Sequence, residues 1–150
     1  MKKNFFGFTL IELLIVMAVI GGLAAISVNV FPSAAKRARD SERRSDIKQY
    51  QTAMESYNNK TGTYPVSVGL QDIATTLCST LSLPSCPEDP KTTPKYKVNS
   101  IAGSYVIYAT LEQPTTGTTA YFVVCSDGRS GECTTAPSGS ACATGAGSCP

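Results

Sequence analysis

The chain of 150 residues contains no histidine and no tryptophan. Lack of histidine excludes imidazole acid–base chemistry, Ser-His and Cys-His nucleophilic arrangements, and histidine-ligated metals. Charge is sparse: charged residues make up 16% of the chain, and 13 Lys and Arg against 11 Asp and Glu leave a net +2. Lys2 and Lys3 account for that excess, so there is no basic footprint for nucleic acid and no direct nucleic-acid binding is expected. The six cysteines, at 78, 86, 125, 133, 142 and 149, contain no C-x-x-C pair, which argues against a zinc site. No constellation of nucleophile, base and stabilising donors emerges, so the chain reads as a non-enzyme. Charge is also missing between Leu13 and Ala35, and the last 17 positions are almost wholly Ser, Thr, Ala, Gly, Pro and Cys. The two ends suit different solvents.

What is present begins with an apolar run of 24 residues, Phe8 to Phe31. About twenty apolar residues at 1.5 Å each span a bilayer. A cleaved signal peptide, cut after Ala25-Ile26-Ser27, and a plain anchor both account for the run, but neither accounts for Glu12. A carboxylate in such a segment is disfavoured by roughly 2.5–3.5 kcal/mol at mid-membrane, less near its end, and marks a functional site by default. If the chain were cut after Gly7, Phe8 would carry a new α-amino group one helical turn from Glu12. In a stack of parallel helices, Glu12 of one copy can meet the amine of the next and set the axial register.

Gly7-Phe8-Thr9-Leu10-Ile11-Glu12, preceded by Lys2 and Lys3 and followed by the apolar run, resembles the class III signal of type IV pilins and pseudopilins. The resemblance implies cleavage between Gly7 and Phe8 by a membrane prepilin peptidase and N-methylation of Phe8. It then implies assembly into a helical filament of copies of the chain, by a membrane platform protein and an assembly ATPase, with Phe8 and Glu12 as assembly residues. It further implies a single-pass inner-membrane protein before assembly and a cell-surface or extracellular filament after it. A structural subunit of a type IV pilus-like filament is the leading reading. A pseudopilin of a type II secretion or DNA-uptake machine is the alternative, and a secreted or membrane-anchored binding module is the second.

The divisions that follow are a leader at 1–7, a transmembrane and filament-core helix at 8–32, an amphipathic helix at 33–60, a globular β head at 61–133 and a cysteine-containing low-complexity tail at 134–150. Ala18/Gly22 and Gly21/Ala25 are small-xxx-small pairs that permit close helix approach. Pro32 removes a helical hydrogen bond, so the stretch from Gly21 to Pro32 is expected to be the softest of the helix. Beyond it, Ile47, Tyr50, Met54 and Tyr57 form one amphipathic stripe, and Asn58-Asn59-Lys60-Thr61-Gly62 is a stop signal. A nearly continuous helix from Thr9 to about Asn58, roughly 75 Å long, is expected. Lys36, Arg37, Arg39, Arg43 and Arg44 read either as a solvated face with pairs such as Asp40/Arg44 and Arg39/Glu42, or as an interface for lipid phosphates and neighbouring subunits. Their number opposes the positive-inside rule, but Asp40, Glu42 and Asp46 are interspersed and the cysteines beyond suit an oxidising exterior.

The fold class expected is α+β, pilin-like: a long N-terminal helix whose apolar half protrudes and whose amphipathic half packs on a small antiparallel sheet. Leu70, Ile73, Ala74 and Leu77 suggest a short helix, and Cys78 to Pro94 a Pro-rich loop. Tyr96 to Asn99, Ser104 to Leu111 and Ala120 to Cys125 read as three strands of a meander. Val98, Tyr105, Ile107, Ala109, Tyr121 and Val123 are expected to share the core face. Cysteine spacing suggests sequential pairs, Cys78–Cys86, Cys125–Cys133 and Cys142–Cys149, although six cysteines allow fifteen pairings. Between Cys125 and Cys133, Asp127 and Glu132 are the candidates for a Ca²⁺ ion, as some pseudopilins hold one near their carboxyl end. The loop lacks the alternating oxygens of a recognised calcium site, so a disulfide-closed turn is favoured and no cofactor is expected. Asn59-Lys60-Thr61 is a formal glycosylation triplet.

Overall fold

The computed structural model describes residues 7–114 and 120–139, without the side chains of 27–30. Helix α1 is Leu10–Thr61, with Pro32 inside it. Thr9 opens it, and Gly62 closes it in the left-handed region, at φ 79°, with its amide donating to the carbonyl of Asn58; glycine takes that conformation without the steric cost of a Cβ. The chain divides into two units, Met1–Ala35 and Lys36–Pro150.

In the second unit, the carboxyl-terminal part of α1 is followed by β1 (Gln71–Asp72), α2 (Ile73–Thr76), β2 (Lys97–Ile101), β3 (Ser104–Leu111), β4 (Ala120–Cys125) and β5 (Ser130–Cys133). The strands form one antiparallel five-stranded sheet in sequence order. The central three are those the β-branched and aromatic runs predict. The two edge strands are additions to the expected meander: Gln71–Asp72 exists as a strand only by pairing with Val98 and Lys97, and polar Ser130–Cys133 only by folding back on β4. The β4–β5 return is a turn from Cys125 to Gly128, whose φ of 84° again requires glycine. The short helix expected around Leu70 to Leu77 contracts to four residues, capped by Asp72, whose carboxylate accepts the Ala74 amide. Leu70 itself is exposed.

The core is helix against sheet. Ile47, Tyr50, Ala53 and Met54 of α1, spaced for one helical face, join Val98, Tyr105, Ile107, Ala109, Leu111, Ala120, Phe122 and Val124, with Ile73, Leu77 and Leu81 from the connection. Tyr57 packs at the margin. Tyr121 and Val123 do not share this face, contrary to expectation. The register Ile107↔Val124 and Ala109↔Phe122 turns Ala120, Phe122 and Val124 inward, and Val123 instead lies in a second cluster with Val106, Tyr108, Cys125 and Cys133, flanked by Tyr121. All six residues of β4 are apolar and carry no alternation, so the pairing with β3 decides which parity faces the helix.

Buried tyrosines reach α1 and the connecting loop through their hydroxyls. Tyr96 donates to Asp46 at 2.6 Å, Tyr105 to Glu55 at 2.6 Å, and Tyr50 to the carbonyl of Pro87 at 2.8 Å. Tyr64 shares Glu55 at 3.0 Å and packs edge-on against Tyr105. Burial pushes all four hydroxyls up from the ordinary phenol value, and it raises the Asp46 carboxyl as well. The four tyrosine hydroxyls remain neutral donors at physiological pH.

Candidate assembly site

The first candidate region is the exposed stem. Phe8 is 89% exposed and Phe31 70%, and Leu10, Ile11, Leu13, Leu14, Ile15, Val16, Met17, Val19, Ile20, Leu23 and Ile26 all expose more than half of their surface. Monomeric soluble proteins do not leave an apolar surface of this extent to water. Among the described residues no single helix is long and apolar enough to cross a membrane; Leu10–Ile26 and Phe31–Thr61 taken together qualify by length and composition.

Gly7, Phe8 and Glu12 sit at the exposed amino-terminal end of this region. The Glu12 carboxylate is held by Thr9: the Thr9 amide and hydroxyl donate to Oε2 at 2.9 and 2.8 Å, and the Glu12 amide donates back to the Thr9 hydroxyl at 3.3 Å. This is a capping box, in which two amides at a helix start are satisfied reciprocally. Phe8 and Glu12 are not joined by any hydrogen bond among the described residues. The capping role of Thr9 was legible as Thr-x-x-Glu in the sequence, yet the carboxylate there is read first as an intermolecular partner. Lys2 and Lys3 lie outside the described residues.

The second region is the charged collar of α1, and here both readings of the cation cluster are corrected for Arg39, Arg43 and Arg44. Arg43 is fully buried. Its guanidinium donates to Asp89 at 2.7 and 2.9 Å, to Asp40 at 2.8 Å and to Glu112 at 2.9 Å. Arg39 forks onto Glu112 with two bonds of 2.7 Å, and Lys91 reaches the same carboxylate at 2.7 Å. Asp40 accepts the amides of Glu112 and Gln113. Arg44 binds Glu132 and lies over the Phe122 ring at 5.1 Å from its centroid. The expected helix pairs Asp40/Arg44 and Arg39/Glu42 are replaced, because acids from three head segments offer these cations better-buried partners. The Arg39 guanidinium, with Lys91 and Arg43 beside it, holds Glu112 well below the usual carboxylate range, while the hydrogen bonds that Arg43 donates to Asp89, Asp40 and Glu112 raise Arg43 itself. The collar is a structural clamp within the head.

Cys78 and Cys86 are bridged, with Cα atoms 5.9 Å apart, which suits disulfide geometry. This loop delivers Pro87 and Asp89 to α1. Cys125 and Cys133 are both disulfide-bonded, but not as a closed turn. Cys133 stands opposite Tyr121, four residues from Cys125 along β4, a separation of about 13 Å that no disulfide bridges. Cys142 and Cys149, with the last part of the tail, lie outside the described residues. The calcium candidates are separated by their partners: Asp127 accepts the amide and guanidinium of Arg129, and Glu132 binds Arg44. Among the described residues no group of three or more His, Cys, Asp or Glu is arranged to hold a metal ion.

Residues 2–28 match the family model of the prokaryotic N-terminal methylation motif. A curated relative, the type IV major pilin protein PilA of Myxococcus xanthus strain DK1622, is 43% identical over 58 residues, 39% of this chain. The chain spans about a quarter of that protein's length, 26%. No solved structure matches the chain. Through its methylation motif, its partial likeness to a major pilin and its long amino-terminal helix followed by an antiparallel sheet, the chain is type IV pilin-like.

Proposed function

We propose that the chain is a structural subunit that polymerises through its apolar amino-terminal helix into a type IV pilus-like filament, after cleavage between Gly7 and Phe8 and methylation of Phe8. One observation carries this reading. An exposed apolar surface from Phe8 to Ile26, carrying a single acid at Glu12, is joined in sequence to a head that has closed its own core and matched most of its buried charge. Such a surface needs either lipid or other copies of itself. Lipid stores it before assembly, and sister stems bury it afterwards. A membrane platform and an ATPase supply the work of transfer, and a prepilin peptidase supplies the cut.

Glu12 is the one acid in the run. Its Oε2 is engaged by Thr9 within the chain, which supports a role for Oε1 as the acceptor for the new Phe8 amine of a neighbouring copy. Amino-terminal sequencing of the mature chain tests the cut and should begin at methylated Phe8. Glu12→Gln keeps a neutral acceptor for the Thr9 cap but has no charge to offer an amine. It should be processed normally and yield few filaments by electron microscopy. Normal filament yield from that variant would refute the pairing role, and a mature chain starting near Val28 would refute the filament reading as a whole.

A further inference from the structure

We infer that Lys36 and Arg37 form a docking surface for the phosphate groups of an anionic lipid bilayer, on which the head rests while the stem is stored. The inference rests on the membrane-stored stem proposed above. Five cations fall between positions 36 and 44, and the head consumes three of them: Arg39 on Glu112, Arg43 on Asp40, Asp89 and Glu112, and Arg44 on Glu132. Lys36 has no carboxylate partner among the described residues, and Arg37 donates only to the neutral amide oxygen of Gln113, at 3.1 Å. Both are exposed.

The acid that would ordinarily neutralise them is Asp40, at i+4 from Lys36 and i+3 from Arg37. It is buried, and its oxygens are taken by Arg43 and by the amides of Glu112 and Gln113. Glu42, the exposed acid of the segment, stands at i+6 and i+5, off their face of the helix. Unmatched positive charge is therefore left five and six residues after Phe31, where the apolar run ends. The polar layer that meets the end of a stored apolar helix is the phosphate layer of the bilayer. Lys and Arg extend their stems to reach it, the ammonium as a point charge and the guanidinium as a fork, and an anionic leaflet attracts each such cation.

Acylation of lysines in the full chain, reconstituted into vesicles and read by mass spectrometry, tests the surface. Neutral phosphatidylcholine vesicles are compared with vesicles containing about one-third phosphatidylglycerol. Lys36 should react about five-fold more slowly in the anionic vesicles, and added salt of roughly 0.5 M should restore its rate. Lys48 and Lys60, exposed further along α1, should react equally in both. Arg37→Gln should lessen the protection of Lys36. Equal Lys36 rates in the two vesicles would overturn the inference. So would protection in detergent that grows with protein concentration, which would name a second copy of the chain as the partner. Protection in detergent by inorganic phosphate alone would assign a soluble anion instead. A chain washed from both vesicle types by alkaline carbonate overturns the stem reading together with this inference, whereas a retained chain with unprotected Lys36 overturns this inference alone.

Discussion

Replacing Arg43 with methionine tests the clamp at its centre. The guanidinium is completely buried, Asp89 is 1% exposed, and four hydrogen bonds of 2.7 to 2.9 Å join it to three carboxylates. Methionine preserves most of the side-chain volume and removes the charge. Asp89 and Asp40 are then left buried without a cation, and breaking a buried pair from one side costs about 3–5 kcal/mol. Against a domain stability of about 5–15 kcal/mol, that loss is large. Arg44→Met is the control. Arg44 is 36% exposed, so its pair should contribute about 1 kcal/mol or less. Denaturant unfolding of the full chain in detergent, followed by circular dichroism, gives both values. Adding Asp89→Asn to Arg43→Met removes the stranded charge and should recover part of the loss, the sign expected for coupled neighbours. An Arg43→Met penalty no larger than that of Arg44→Met would refute the argument from burial.

Other outcomes follow from the same network and from the sheet register. Glu112 titrates below its ordinary value of 4.5 in the folded chain, so it contributes stability above that pH, and this contribution is lost as pH falls through the folded value. Unfolding midpoints measured from pH 6 down to pH 3 should therefore fall for the wild type and fall less for Glu112→Gln. Asp46, raised by burial, acts in the opposite sense, and Asp46→Asn should steepen the acid loss. Mass spectrometry of unreduced digests should find a Cys78–Cys86 link and no Cys125–Cys133 link; a peptide pair joining the latter two would contradict the β4–β5 register.

The amphipathic stripe Ile47, Tyr50, Met54 and Tyr57 was legible because helical periodicity is a local property, repeated at every turn. Strands β3 and β4 were legible for the same reason: β-branched and aromatic runs bounded by turn residues mark their own ends. The parity of β4 was not legible, since its residues are apolar on both faces. Nor were β1 and β5, which have no pattern of their own and exist because a neighbour offers a ladder. Arg43 was hidden within a run of cations that looks solvated, because its partners lie 46 and 69 residues away in the chain.

The sequence by itself determined the stem, the lone Glu12 within it and the helix-and-sheet class of the head. Each is written in a contiguous stretch whose composition or period selects one solvent or one local geometry. Only the tertiary structure decided which cations are consumed by the head and which stay exposed, which face of β4 meets α1, and that Cys125 and Cys133 stand too far apart to pair. Those outcomes depend on which distant groups folding brings within a few ångströms of one another, and burial then strengthens or forbids each pairing.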